Sequence, residues 1–245
     1  MSLFRRTPEE RRLRALRALE ASSSPGSSGP AGSVPVPLHD YLSVPFPAPG
    51  TPLDELGLLA VDIETTGLDP RRDRLLSVGF VPVDGGEIVL GRAGRVVVRD
   101  GSEVGQSATV HGLTDDELAR GVPLPDAVGA VLEALAGRAL LAHFSRVETE
   151  FLSAACERLW GTGMPCVAVD TMELERGLVE TGWGSEPDAG ALRLWTARGR
   201  RGLPVYKAHE ALTDALACAE LYLAQRAELA ARSPETTLTL RQVTA

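Results

Sequence analysis

The chain has 245 residues, a net charge of −8 and an apolar share of 44%. This length suits one α/β domain with additional segments better than two large domains. No apolar run is long enough to cross a bilayer, and the charged N-terminus is not typical of a secretory signal. The acidity argues against sequence-independent binding along a duplex, but it is compatible with an enzyme whose carboxylates bind phosphates through cations.

Cysteine usage indicates a reducing compartment. The three cysteines are Cys156, Cys166 and Cys218, and none belongs to a CxxC or Cys/His pattern. An odd number without metal-site spacing predicts reduced thiols that are mostly buried. We therefore expect a cytoplasmic protein without a membrane anchor.

The first 56 residues differ in composition from the rest. Residues 5–20 predict a short helix rich in arginine, 22–33 have the Ser/Gly/Pro composition of a linker, and 34–56 are proline-rich. We expect the last of these to lie extended across the surface. The predicted organisation is an N-terminal region 1–56, a folded domain 57–232 and a C-terminal tail 233–245.

The domain itself shows three strands followed by alternating helices and strands. A helix is expected to begin after Thr114, which precedes acidic residues that favour a helix N-terminus. This order predicts an α/β fold with one mixed five-stranded sheet and helices on its faces. The predicted strands are 58–63, 75–83, 88–99, 139–143 and 167–171, and the further helices are 125–136, 146–160, 172–181, 189–197 and 210–231.

The strongest chemical signal lies at the end of the first strand. The run from Ala60 to Pro70 places Asp62 and Glu64 two residues apart, on the same side of a buried strand. Their position near the carboxyl end is where open α/β sheets bind ligands. Two adjacent carboxylates repel each other, and a divalent cation relieves that repulsion. Oxygen-only ligands favour Mg²⁺ or Mn²⁺, although a strand end with two solvated acids is the alternative.

A second signal lies at the start of the last helix, where His209 is followed five residues later by Asp214. An aspartate in the early turns of that helix can reach the sheet edge. A histidine with its ordinary pKa is suited to accept a proton from water near neutral pH. Taken alone, His209 is better explained as a helix cap or a solvated side chain.

Together these motifs resemble the DEDDh family of 3'→5' exonucleases, which have an RNase H-like fold and include the proofreading subunit of bacterial replicative DNA polymerase. The resemblance rests on Asp62-x-Glu64-Thr65-Thr66-Gly67, on His111-Gly-Leu-Thr114 and on His209-x4-Asp214. It extends from about Leu58 to about Leu223 and leaves the N-terminal region unmatched.

The resemblance implies a role for each matching residue. Asp62, Glu64 and Asp214 would bind the catalytic metal, with Asp62 shared by a second ion, and His209 would be the general base. Two ions of Mg²⁺ or Mn²⁺ would flank the scissile phosphate. The residues implied to contact the terminal nucleotide are Thr65, Thr66, Leu68 and His111, and His111 is equally well explained as a turn residue before Thr114.

The middle motif departs from the family pattern. The family usually has Ala-His-Asn-x-x-Phe-Asp, whereas this chain has Ala142-His143-Phe144 followed by Glu148. Phe144 replaces the asparagine, and Glu148 replaces the aspartate that would be the fourth acid. Glutamate is one methylene longer, and metal sites tolerate little displacement. Glu148 is predicted to be the fourth metal ligand, and Glu150 is a weaker substitute.

Two basic segments are open to two interpretations each. The cluster before His209 could steer a nucleic-acid backbone, or it is a solvated loop; it comprises Arg193, Arg198, Arg200, Arg201 and Lys207. The arginine-rich N-terminal helix could contact a polymerase, another protein partner or nucleic acid, or it is a solvated tail.

The predicted function is hydrolysis of a nucleic acid from its 3' end, with single-stranded DNA as the first substrate. RNA or short oligonucleotides are alternatives, because the motifs contact phosphates and the terminal sugar. A binding or scaffolding module is the alternative of a different class, since the altered middle motif would impair catalysis.

Overall fold

A computed structural model describes residues 6–22, 36–99, 113–179 and 190–244. The six strands found in these ranges form one mixed sheet in the order β3-β2-β1-β5-β6, with β4 also paired to β2. They are β1 (Gly57–Thr65), β2 (Leu75–Asp84), β3 (Glu87–Ile88), β4 (Gly94–Val97), β5 (Ala139–Ala142) and β6 (Ala168–Asp170).

The pairing of the strands divides the sheet into two halves. β1 and β2 are antiparallel from Gly57 opposite Asp84 to Thr65 opposite Leu75. On its other side β1 is parallel to β5, with Ala60 opposite Leu141, and β5 is parallel to β6. β1 is therefore the central strand, and its carboxyl end lies at the same edge as those of β5 and β6.

Eight α-helices occur in the described ranges. They are α1 (Pro8–Ser22), α2 (Val36–Ser43), α3 (Asp115–Arg120), α4 (Leu124–Leu135), α5 (Arg146–Trp160), α6 (Thr171–Val179), α7 (Leu194–Arg200) and α8 (Ala211–Arg232), and short 3₁₀ turns lie at Leu90–Arg92 and Leu240–Gln242. Thr114 caps α3 in a capping box with Glu117, as the sequence predicts. None of these helices is long and apolar enough to span a membrane.

Apolar side chains from the two faces of the sheet form two main cores. Alternate residues of β1 divide between them: Leu59 and Val61 pack with α2, α4 and α5, and Leu58 and Ala60 pack with α8. The 3.6-residue spacing of apolar positions in α8 places Ala215, Ala219 and Tyr222 on the buried side. Helices therefore cover both faces of the sheet, which confirms the predicted mixed α/β arrangement.

The prediction of an extended segment over 34–56 is wrong for α2. Leu38 and Leu42 are fully buried against α4, and the hydroxyl of Tyr41 donates a 2.8 Å hydrogen bond to the carbonyl of Pro165. The proline content of this segment predicts an extended chain, but the apolar residues Leu38, Tyr41 and Leu42 have the spacing of a helix. Leu19 of α1 belongs to the same core, so these helices pack onto the domain. The domain limit at residue 57 stays a prediction, and the predicted linker 22–33 falls almost wholly outside the described residues.

Two other predicted elements differ from the structure. The predicted strand 88–99 is interrupted by the turn at Leu90–Arg92 and becomes β3 and β4. The helix expected at 189–197 begins later, at Leu194. The three cysteines are free thiols, as predicted, and Cys156 and Cys218 are buried.

Candidate active site

Three carboxylates meet where β1 ends and α8 begins. Asp62 and Glu64 come from β1, and Asp214 lies in the first turn of α8. One oxygen of each carboxylate lies within 4.8 Å of one oxygen of each of the others. The structure thus brings together acids that are about 150 positions apart in the sequence, in the arrangement that the motifs predict.

The close approach of α8 to the sheet depends on Gly79. This residue lies opposite Asp62 in the pairing of β1 with β2. A Cβ atom added to Gly79 would overlap the carbonyl carbon of Ala211 and the backbone nitrogen of Leu212. The absence of a side chain at Gly79 lets the start of α8 lie directly on β2, and this sets the distance of Asp214 from β1.

The pKa values of these carboxylates are raised. Burial is the largest cause in each case, and the charges of neighbouring acids add to it, with Glu210 as the neighbour that acts on Asp214. The pKa of Asp62 is well above its ordinary value, with Glu148 the largest contributor among the neighbouring charges. The pKa of Glu64 is raised to about 7, against an opposing effect of Arg95. Bringing these groups together therefore costs free energy that a bound cation would offset.

Glu148 faces the same site from α5. Its side chain is 5% exposed, burial raises its pKa to about 8, and its charge is felt at Asp62. It lies outside the 4.8 Å group of three acids. Glu150 is exposed and pairs with Arg146 at 2.7 Å. The structure therefore places Glu148, and not Glu150, beside the β1 carboxylates.

The hydrogen bonding of two buried oxygens indicates whether the site suits a cation. Oε2 of Glu148 and Oδ1 of Asp214 have no hydrogen-bond partner in the described parts of the chain. Buried carboxylate oxygens are seldom left unpaired. A donor set made only of carboxylate oxygens suits Mg²⁺ or Mn²⁺, so the residues fit the predicted type of ion.

His209 stands at the entrance to α8 with an exposed side chain. Its backbone N–H donates a 2.9 Å hydrogen bond to Oδ2 of Asp214, and its φ of 67° is in the left-handed region. The next residue, Glu210, caps the helix by accepting from the N–H groups of Leu212 and Thr213. The cap and the hydrogen bond fix the backbone of His209 beside Asp214 and leave its imidazole open to solvent.

The residues after β1 form a hydrogen-bonded turn. The hydroxyl of Thr65 donates to the carbonyl of Gly67 at 2.6 Å, and that of Thr66 donates to Asp73 at 3.1 Å. Asp73 also accepts from the N–H of Asp69 at 2.8 Å. The turn holds the side chain of Leu68 outward, 82% exposed. His111, the other residue predicted to contact the nucleotide, lies outside the described residues.

Asp170 organises the middle motif, and sequence reasoning missed it. It ends β6, and its carboxylate accepts from the N–H groups of Phe144, Ser145 and Met172 at 2.8–2.9 Å. The sequence does contain a signal for this residue. Asp170 lies at the carboxyl end of a strand, β6, and this strand runs parallel to β5, which leads into the middle motif. Asp170 thereby ties β6 to the start of α5, the helix that carries Glu148.

The interpretation of the basic cluster as a steering surface is wrong for two of its five members, Arg198 and Arg201, whose side chains are largely buried. Arg198 is 1% exposed and pairs with Glu220 at 2.7 Å. Arg200 and Arg201 both pair with the fully buried Glu175. These arginines hold α6, α7 and α8 together, because a buried carboxylate needs a compensating charge. Arg193, Arg200 and Lys207 are exposed.

Comparison with known proteins identifies related sequences. The family model RNase_T, described as an exonuclease, matches residues 59–222. A DNA polymerase III subunit epsilon-like protein of Rhodobacter capsulatus is 30% identical over 184 residues, which are 74% of this chain and 25% of that protein. An oligoribonuclease of Tropheryma whipplei is 40% identical over 84 residues, which are 31% of this chain and 45% of that protein.

A solved structure supports the fold. Exonuclease I of E. coli, in complex with a dT13 oligonucleotide, superposes with a TM-score of 0.58 at 17% identity, over 74% of this chain and 42% of that one. At this identity the likeness concerns the fold, and it confirms the predicted RNase H-like arrangement. The chain spans less than half the length of each of these three proteins.

Proposed function

Since the chain belongs to the exonuclease family whose model spans residues 59–222, we propose that it hydrolyses phosphodiester bonds from the 3' end of a nucleic acid. The observation that carries the proposal is the convergence of Asp62, Glu64 and Asp214 within 4.8 Å. Burial and neighbouring acids raise the pKa values of these three carboxylates, so holding them together at one sheet edge costs free energy. Such a group is typical of a cation site for phosphoryl chemistry.

We further propose that Asp62, Glu64, Asp214 and Glu148 hold two ions of Mg²⁺ or Mn²⁺. When bound, such ions activate a water nucleophile and stabilise the charge on the leaving oxygen. The unpaired oxygens of Glu148 and Asp214 supply additional ligand atoms. Although Glu148 lies outside the group of three, it is buried on α5 and its charge acts on Asp62.

The remaining residues orient the substrate and move the proton. His209 acts as the general base: its imidazole is exposed beside Asp214 and is free to accept a proton from water. Thr65 and Thr66 shape the turn after β1, and Leu68 projects from it toward the terminal nucleotide. A site for the terminal nucleotide selects a single-stranded end mainly by access, and single-stranded DNA is the proposed substrate.

The test is a gel assay with 5'-labelled single-stranded DNA in Mn²⁺ or Mg²⁺, beside an Asp62→Ala control and an EDTA control. We expect a ladder that shortens from the 3' end with wild type and is absent in both controls. Cleavage that persists in Asp62→Ala, or that starts from the 5' end, would contradict the proposal. A parallel lane with labelled RNA separates the substrates.

Two of the related proteins favour a second candidate substrate and a partner. The 40% identity to an oligoribonuclease over 84 residues favours short RNA as the second candidate, and preferential shortening of RNA in the parallel lane would establish it. The epsilon-like relative favours association with a polymerase, which we propose to occur through α1. Four exposed arginines lie on α1 or just before its first residue and are accessible for such a contact: Arg6, Arg11, Arg14 and Arg17.

A binding or scaffolding module is the function of a different class. It predicts no cleavage of DNA or RNA by a protein that still binds the 3' end. Thermal stabilisation by Mn²⁺ separates the two, because an ion that binds only the folded state raises stability.

A further inference from the structure

Phe144 is an exposed aromatic residue in a strained backbone conformation. Its side chain is 45% exposed, and it is the only aromatic residue classed as exposed in the described ranges. Its φ is 70°, in the left-handed region. A bulky residue rarely adopts that conformation, and strain of this kind concentrates at functional sites. An exposed phenylalanine is common on protein surfaces, so the strain is the observation that calls for an explanation.

The surrounding hydrogen bonds show how the strain is maintained. The N–H of Phe144 donates to Oδ1 of Asp170 at 2.9 Å, and the N–H of Ser145 donates to Oδ2 at 2.8 Å. Both oxygens of one carboxylate therefore fix two successive backbone groups. The backbone at Phe144 is held in place by β6, and its ring makes no contribution to either apolar core.

The strand directions place Phe144 at the edge of the sheet where the carboxylates lie. β5 runs parallel to β1, with Ala60 opposite Leu141. β5 ends at Ala142, so the chain leaves the sheet at the same carboxyl edge as β1, which carries Asp62 and Glu64. Phe144 lies two residues after the end of β5, and Glu148 follows within the first turn of α5.

From this position we propose that Phe144 is a substrate-binding residue whose ring stacks on a nucleobase within the last two nucleotides of the 3' end. Stacking on an aromatic ring is tolerant of base identity, because every base has a π-face. The ring would add binding energy that the acidic site lacks, since the carboxylates repel a nucleic-acid backbone until cations are bound. This inference rests on the proposed function for its substrate.

The test compares the affinity of wild type, Phe144→Ala, Phe144→Trp and Phe144→Asn for labelled single-stranded DNA, measured by fluorescence anisotropy in Ca²⁺ under conditions without cleavage. Three DNAs are used: an intact strand and strands with an abasic residue at the terminal or at the penultimate position. We expect Phe144→Ala to weaken binding of intact DNA roughly 5- to 150-fold, and Phe144→Trp to retain it. Asparagine tolerates the left-handed conformation, so Phe144→Asn should bind as weakly as Phe144→Ala while its melting temperature is at least that of wild type.

The abasic strands identify the contact. At the stacked position, loss of the base should weaken wild-type binding to the level of Phe144→Ala and leave that variant unaffected. Equal affinities of wild type and Phe144→Ala for intact DNA, or an equal loss for all three DNAs, would overturn the inference. Absence of cleavage by wild type in Mn²⁺ would contradict the proposed function instead, and the binding comparison would still test the stacking.

Discussion

Glu148 connects the stability of the protein with its proposed activity. It is buried, and burial raises its pKa from 4.5 to about 8. Because the folded-state pKa lies above the unfolded one, the stability present below pH 4.5 is lost as pH rises toward 8. At 1.36 kcal/mol for each pKa unit the loss is at most about 4 kcal/mol at pH 8, and relaxation around the charge reduces it to roughly 2 kcal/mol. Glu148→Gln does not ionise, so it avoids this loss.

The variant should therefore be more stable than wild type in EDTA at pH 8, by roughly 4–8 °C in melting temperature for a chain of this size. Near pH 4.5 the difference should be small. Thermal unfolding followed by circular dichroism at both pH values measures this, and the same variant should lose most nuclease activity and most of its stabilisation by Mn²⁺. Glu150→Gln is the matched control, because Glu150 is exposed two residues away, and it should change neither property. A melting-temperature difference that is the same at both pH values would refute the reasoning.

Two further substitutions test how the rest of the fold holds the site. Gly79→Ala should destabilise the protein by about 1–3 kcal/mol and lower its activity, because the added methyl group displaces the start of α8. The control is Gly91→Ala, which has open space around the added atom. It should change neither the stability measured by urea unfolding nor the activity measured in the gel assay. Arg198→Ala should cost about 3–5 kcal/mol in urea unfolding, because it leaves Glu220 without its buried partner. In the folded variant, the slope of DNA affinity against salt concentration should match that of wild type, and a flatter slope would restore the steering interpretation.

The elements that could be predicted from the sequence are those with strong periodicity. Arg146–Trp160 was predicted with the bounds that the structure has, because its apolar positions recur at helical spacing between a polar start and Gly161. β1 could be recognised as a buried strand because a short apolar run ends in acids. Because side chains alternate along a strand, the sequence also predicts that Asp62 and Glu64 lie on one side of β1. The fold then explains why Asp214 joins them.

The features that were missed depend on contacts that periodicity does not report. The sequence suggests a solvated basic loop for Arg198, because basic residues recur around it and its partner Glu220 is 22 positions away. The proline-rich composition around α2 masked three apolar positions that meet α4 only in the folded chain. Gly79 gave no signal at all, since a glycine in a strand pattern does not tell which helix approaches it.

The two departures from the family pattern, Phe144 and Glu148, lie on one anchored segment. Asp170 fixes the backbone at Phe144 and Ser145, and α5 begins at the next residue without a side-chain cap from Ser145. The position of Glu148 therefore follows from the same hydrogen bonds that hold Phe144 in its strained conformation. The hydrogen bonds of Asp170 therefore position the segment that carries both the exposed ring of Phe144 and the buried carboxylate of Glu148.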